Sequence, residues 1–238
     1  MYRFFLIVIF SLLACVVNAQ ARWDYPVKPG MEEWKKFQSN EEMVNVCQIP
    51  ENILSSLSTE ELTELCLEYL LLWDIFAFNN LNHGVDKLFR DFNGIRELYK
   101  RKDVSSSLTK RYIQKVQSFS FLDEEHSDFE KGFFIISVSA LEVLLSRVEW
   151  QENDEKDSLK GILQNLVAGY EEKLKFADDF KGFGFQTNFY SRSHVITKMN
   201  KSTVERLPQK EKNFTLVSGM ADEQSINVIN EMSYQLIK

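Results

Sequence analysis

The chain has 238 residues, 26% of them charged, and a formal net charge of −7. An acidic balance argues against general nucleic-acid binding, which depends on Lys and Arg neutralising phosphates. A hydrophobic content of 44% with 19 Phe argues against disorder, and the length suits one domain or a small pair.

The first element is a leader. Met1-Tyr2-Arg3 is a short basic start, Phe4 to Val17 is apolar except for Ser11, and Val17-Asn18-Ala19 supplies a small-x-small exit. That order predicts a secretory signal peptide over 1–19, cleaved between Ala19 and Gln20. The run is too short for the roughly 20 residues of a membrane-spanning helix. A second exit competes: Leu12-Leu13-Ala14-Cys15 approximates a bacterial lipobox, in which Cys15 would carry a lipid anchor. Either exit predicts a secreted, periplasmic or envelope protein with no transmembrane segment after signal removal. Cys47 and Cys66 remain in the mature chain. In an oxidising compartment they are a disulfide candidate, the alternative being two small buried thiols.

Downstream, helical periodicity recurs and strand-like alternation is scarce. Short helices are expected at 30–38, 40–48, 82–90 and 94–101. Ser58-Thr59-Glu60-Glu61 has the form of a capping box, and the apolar spacing after it runs on through Trp73 and Phe76. Leu108, Tyr112, Val116 and Phe119 mark a further helix. Gly132 to Leu145 is apolar all round except for Ser137, Ser139 and Glu142, which suits a central helix buried on most sides. Its first residues would also suit a strand. Leu159, Ile162, Leu163, Leu166, Val167, Tyr170 and Leu174 form one stripe, with Glu171, Glu172 and Lys173 assigned outside it. Ile226 to Ile237 marks a last helix. The expected architecture is all-α, an irregular multi-helix bundle or stacked helical hairpins of about eight to eleven helices. Residues 20–238 read as one domain, with a candidate sub-division near 102–125. The 122–157 stretch is acid-rich and 181–212 base-rich; the two regions either attract one another or offer a basic face to an anionic partner.

No catalytic signature is present: no Gly-x-Ser-x-Gly elbow, Gly-rich phosphate loop, His-Glu-x-x-His or EF-hand loop. No cofactor and no metal site is expected, since His83, His126 and His194 are far apart. The alternative function is a hydrolase using Cys47, near a helix end, or a carboxylate from a pair such as Glu41-Glu42 or Glu124-Glu125. The leading reading is a non-enzymatic binding protein for a protein or glycan partner. Phe180-Lys181-Gly182-Phe183-Gly184-Phe185 alternates rings with glycines ahead of Gln186-Thr187-Asn188-Phe189-Tyr190. Read as a loop, it makes Phe183, Phe185 and Tyr190 candidate contact residues; read as a hinge, it plugs the core with its rings. Asn200-Lys201-Ser202 and Asn213-Phe214-Thr215 fit the N-glycosylation pattern.

Tyr25-Pro26-Val27-Lys28-Pro29-Gly30, Glu33-Trp34, Cys47-Gln48-Ile49-Pro50 and Ser58-Thr59-Glu60-Glu61-Leu62 form one group of motifs. With Cys66-Leu67-Glu68-Tyr69 and Asn93-Gly94-Ile95-Arg96-Glu97-Leu98, they resemble a group of uncharacterised secreted helical proteins of Bacteroidota-type bacteria. The resemblance covers residues 25–101 and more loosely 183–190. It implies an envelope or secreted setting and carries over no catalytic residue.

Overall fold

A computed structural model describes residues 23–78, 81–148, 155–199 and 223–238. The leader with Cys15, Ala19 and Gln20, and both glycosylation motifs, lie outside the described residues. Among the described residues there are eleven α-helices and no strand. They are α1 (Asn40–Val46), α2 (Glu51–Leu54), α3 (Thr59–Leu67), α4 (Leu81–Asp91), α5 (Asn93–Leu98), α6 (Val104–Gln117), α7 (Asp128–Ser146), α8 (Glu155–Lys175), α9 (Ala177–Phe180), α10 (Phe183–Met199) and α11 (Glu223–Ile237). The all-α bundle predicted from periodicity is the fold observed, and none of the described helices is long and apolar enough to cross a membrane.

Helix starts follow local chemistry. Ser58 and Ser127 each accept from the backbone three residues on, while Glu61 and Glu130 reach back to the cap amides. Each box satisfies two donors that a helix start leaves open. These bonds hold the Glu61 carboxyl below the usual carboxylate range. Elsewhere a side chain imitates backbone pairing. Asn93 Oδ1 accepts from the Ile49 amide at 3.0 Å and Asn93 Nδ2 donates to the Ile49 carbonyl at 2.7 Å. This ties the start of α5 to the segment after α1.

Three local expectations are corrected. Within 30–38 the helical piece is only a 3-10 turn, Trp34–Lys36. The helix after the Ser58 box ends at Leu67, and the apolar spacing continues into a separate 3-10 segment, Leu72–Phe76. The break lets Tyr69 stack on Phe92, with ring centroids 3.9 Å apart and planes at 8°. Third, the glycine- and phenylalanine-rich stretch is not a loop. The chain turns once, at Gly182 with φ +70°, and then enters α10. That left-handed conformation is open to glycine and strained for other residues.

The core is one continuous cluster from Tyr25 to Met232. At its centre lies α7, buried from Val138 to Ser146 and packed against α3, α6, α8, α9 and α10. The α6 helix, inside the region 102–125, contacts α3 on one side and α7 and α8 on the other. It thus joins the N-terminal helices to the rest instead of separating them.

Candidate functional site

The face of α10 that meets α7 and α8 is polar and nearly free of large apolar side chains: Gly184, Thr187, Asn188, Ser191 and Arg192 are buried there. Their 3-4 spacing places them on one side of the helix. Opposite them, in the last third of α7, stands Glu142, fully excluded from solvent, as is Lys173 on α8. Lys173 Nζ lies 2.7 Å from Glu142 Oε1 and 2.8 Å from Oε2, and it donates to the Gly184 carbonyl at 2.7 Å. Tyr112 Oη and Asn188 Nδ2 donate to Oε1 at 2.9 and 2.8 Å, and Thr187 Oγ1 lies 3.1 Å from Oε2. The carboxylate is therefore saturated with donors. Burial pushes the Lys173 ammonium below its ordinary value, opposed by Glu142, and burial and Glu142 push the Tyr112 phenol up. Lys173, assigned to the solvent side from its charge, is a core residue. A carboxylate on an otherwise apolar helix requires a buried cation, and Lys173 follows Tyr170 by three residues on the α8 stripe.

One turn beyond Asn188, Arg192 is 1% exposed. Its Nη1 donates to Asn230 Oδ1 at 2.8 Å and lies 3.5 Å from Ser233 Oγ, while its Cζ sits 4.4 Å over the Tyr170 ring. Its buried Nε has no partner. Among the described residues no carboxylate lies within ion-pair distance of it. Burial draws its pKa down to about 10, so it stays cationic at neutral pH. Among the described residues the buried centre thus holds one carboxylate and two cations.

Arg192 also lines a cleft of about 350 Å³. Its walls are Tyr170 and Leu174 of α8, Phe185 and Phe189 of α10 and Ile226 of α11, with Lys181 and Gln186 beside them. Phe185 meets the Tyr170 ring edge-on at 5.8 Å and 73°. A wider cleft of about 480 Å³ lies between Leu67, Trp73, Phe133, Arg111 and Lys115. There Arg111 is paired with Glu64 at 3.0 Å, so its charge is already answered.

The three aromatic candidates separate. Phe185 lines the Arg192 cleft. Phe183, two residues earlier and so on the opposite side of the helix, packs edge-on against Phe76 at 4.8 Å. Tyr190 is 2% exposed; Arg147 Nη2 donates to its hydroxyl at 2.6 Å, which in turn donates to Asn82. It faces inward and is not a surface contact. Residues 185, 189 and 192 share a helix face, a relation visible only once the stretch is recognised as helical. The sequence reading therefore missed Arg192.

Cys47 and Cys66 are free thiols, both fully buried, which corrects the disulfide candidate. Each occupies an apolar core position where a small hydrophobe packs well. Burial pushes the Cys47 thiol up to about 11 and Cys66 well above its ordinary value. A nucleophilic cysteine needs the opposite shift and access to substrate, so Cys47 is not the available thiol its place near a helix end suggests. His194 is drawn down to about 3, first by burial and then by Arg147 and Lys198; it is neutral at physiological pH. His126 stacks on Phe121 beside Glu124. Among the described residues no three His, Cys, Asp or Glu side chains are grouped as a metal site.

The chain matches no protein-family model, and no curated protein or solved structure is significantly similar to it.

Proposed function

We propose that this chain is an exported, non-enzymatic binding protein whose ligand sits in the cleft between α8, α10 and the start of α11. The observation that carries the reading is the composition of that cleft: apolar and aromatic walls around Arg192, the one buried charged group lining it among the described residues. Small-molecule sites commonly have this form, with greasy walls supplying area and a few placed polar groups fixing orientation. The leader supports export. The saturated Glu142–Lys173 pair supports a rigid frame and offers no free acid or base for chemistry.

The test is titration with N-phenylnaphthylamine, an uncharged aromatic probe whose emission rises in apolar surroundings. We expect one probe per chain, with binding lost in Ile226→Trp and Phe185→Trp, which fill the cleft, while the melting temperature is kept. Absence of probe binding to the native protein, or binding unchanged in both folded variants, would overturn the assignment.

A further inference from the structure

We infer that the cleft takes an amphiphile with a single carboxylate, its head against Arg192 and its apolar body along Phe185, Phe189, Leu174 and Ile226. The inference rests on this cleft being the binding seat, and it adds the class of ligand.

Three observations converge on Arg192. It lines the cleft, it is almost wholly buried, and its Nε has no partner. A buried cation without a counter-charge is costly. Here the cost is only partly offset: the Tyr170 ring supplies a cation–π contact and Asn230 accepts one N–H. The carboxylate that shares its interior, Glu142, is engaged by Lys173 through both oxygens. Among the described residues one negative charge is therefore lacking, and the cleft is where it can be delivered.

The number and shape of the donors narrow the chemistry. A guanidinium presents a planar fork that matches a carboxylate, and charge-assisted bonds of this kind are the strong ones. Lys181, the other cation lining the cleft, is exposed and paired with Asp178 at 3.7 Å. The one buried guanidinium neutralises a single negative charge, so a phosphate dianion would leave one unit buried and uncompensated. The walls favour an alkyl or aryl body over a sugar, because they offer Phe, Leu and Ile and few hydrogen-bonding groups.

The experiment compares octanoate, octanol and octylamine as competitors of N-phenylnaphthylamine on the native protein at neutral pH. We expect octanoate to bind at least about tenfold more tightly than octanol, as for a hydrogen bond to a charged group, and octylamine to bind more weakly than either. In Arg192→Met the advantage of octanoate over octanol should vanish while octanol still competes. Equal binding of octanoate and octanol, with the probe still bound, would overturn the carboxylate and leave the binding function standing. Failure of the probe itself to bind would remove both. The comparison on the native protein needs no variant, so it holds even where Arg192→Met does not fold.

Discussion

At the scale of single residues, the Glu142–Lys173 pair shows how a charge can sit in a core. Neither side chain touches solvent, so the attraction must offset desolvation of both groups, and pairing alone seldom achieves this. The additional donors from Tyr112, Asn188 and Thr187 supply what the pair lacks. Removing one partner should therefore cost far more than removing both. Lys173→Met leaves the carboxylate buried without its paired cation, and we expect a loss of about 3–5 kcal/mol. Glu142→Gln combined with Lys173→Met keeps an amide oxygen for Tyr112, and it should recover at least about half of that loss. Urea denaturation of the three proteins gives the comparison directly. A double variant no more stable than Lys173→Met would show that the uncompensated Glu142 charge is not the source of the loss.

At the scale of helices, α8 carries two glycines that sequence alone treats alike. An alanine methyl at Gly161 meets nothing within 4 Å, whereas at Gly169 it would lie 1.8 Å from Tyr112 Oη. Gly161→Ala should therefore stabilise by about 0.5–1 kcal/mol, the ordinary gain from replacing glycine inside a helix. Gly169→Ala should destabilise by about 1–3 kcal/mol, because α6 must move away from α8. Its cost should fall in a Tyr112→Phe background, where the clashing oxygen is gone. Denaturation midpoints with opposite signs confirm the packing; the same sign at both positions would contradict it. The contrast also explains what was legible. The Ser58 capping box and the apolar run of α7 are local signals, and both place a helix where one is found. The break after Leu67 is invisible locally, since Tyr69, Trp73 and Phe76 keep helical spacing, and only the distant Phe92 accounts for it. Phe185 was readable as a candidate from its aromatic, glycine-rich setting. Arg192 was not, because its significance depends on Tyr170, Asn230 and the prior claim of Lys173 on Glu142.

At the scale of the whole molecule, a single core from Tyr25 to Met232 implies that distant parts open together. Cys66 on α3 and Val195 on α10 are both fully buried, and they lie on either side of α6. If α6 joins the two regions, a thiol at either place becomes reactive only through global unfolding. The variant Val195→Cys, pulsed with iodoacetamide across a urea series and read by peptide mass spectrometry, tests this. Cys66 and the introduced thiol should label with the same midpoint and the same urea dependence, at free energies equal to that of global unfolding. The native Cys47 and Cys66 should label fully in denaturant without reductant, because neither is bridged. Earlier labelling of one side would divide the chain into two units at α6, and a requirement for reductant would restore the disulfide. Cooperative opening has a functional corollary. The cleft is walled by α8, α10 and α11, all anchored in that one core, so on the proposed function it is formed in the absence of ligand. A preformed site binds with a reduced ordering cost, and, if octanoate is bound there, it should raise the labelling midpoint of both thiols by the same amount.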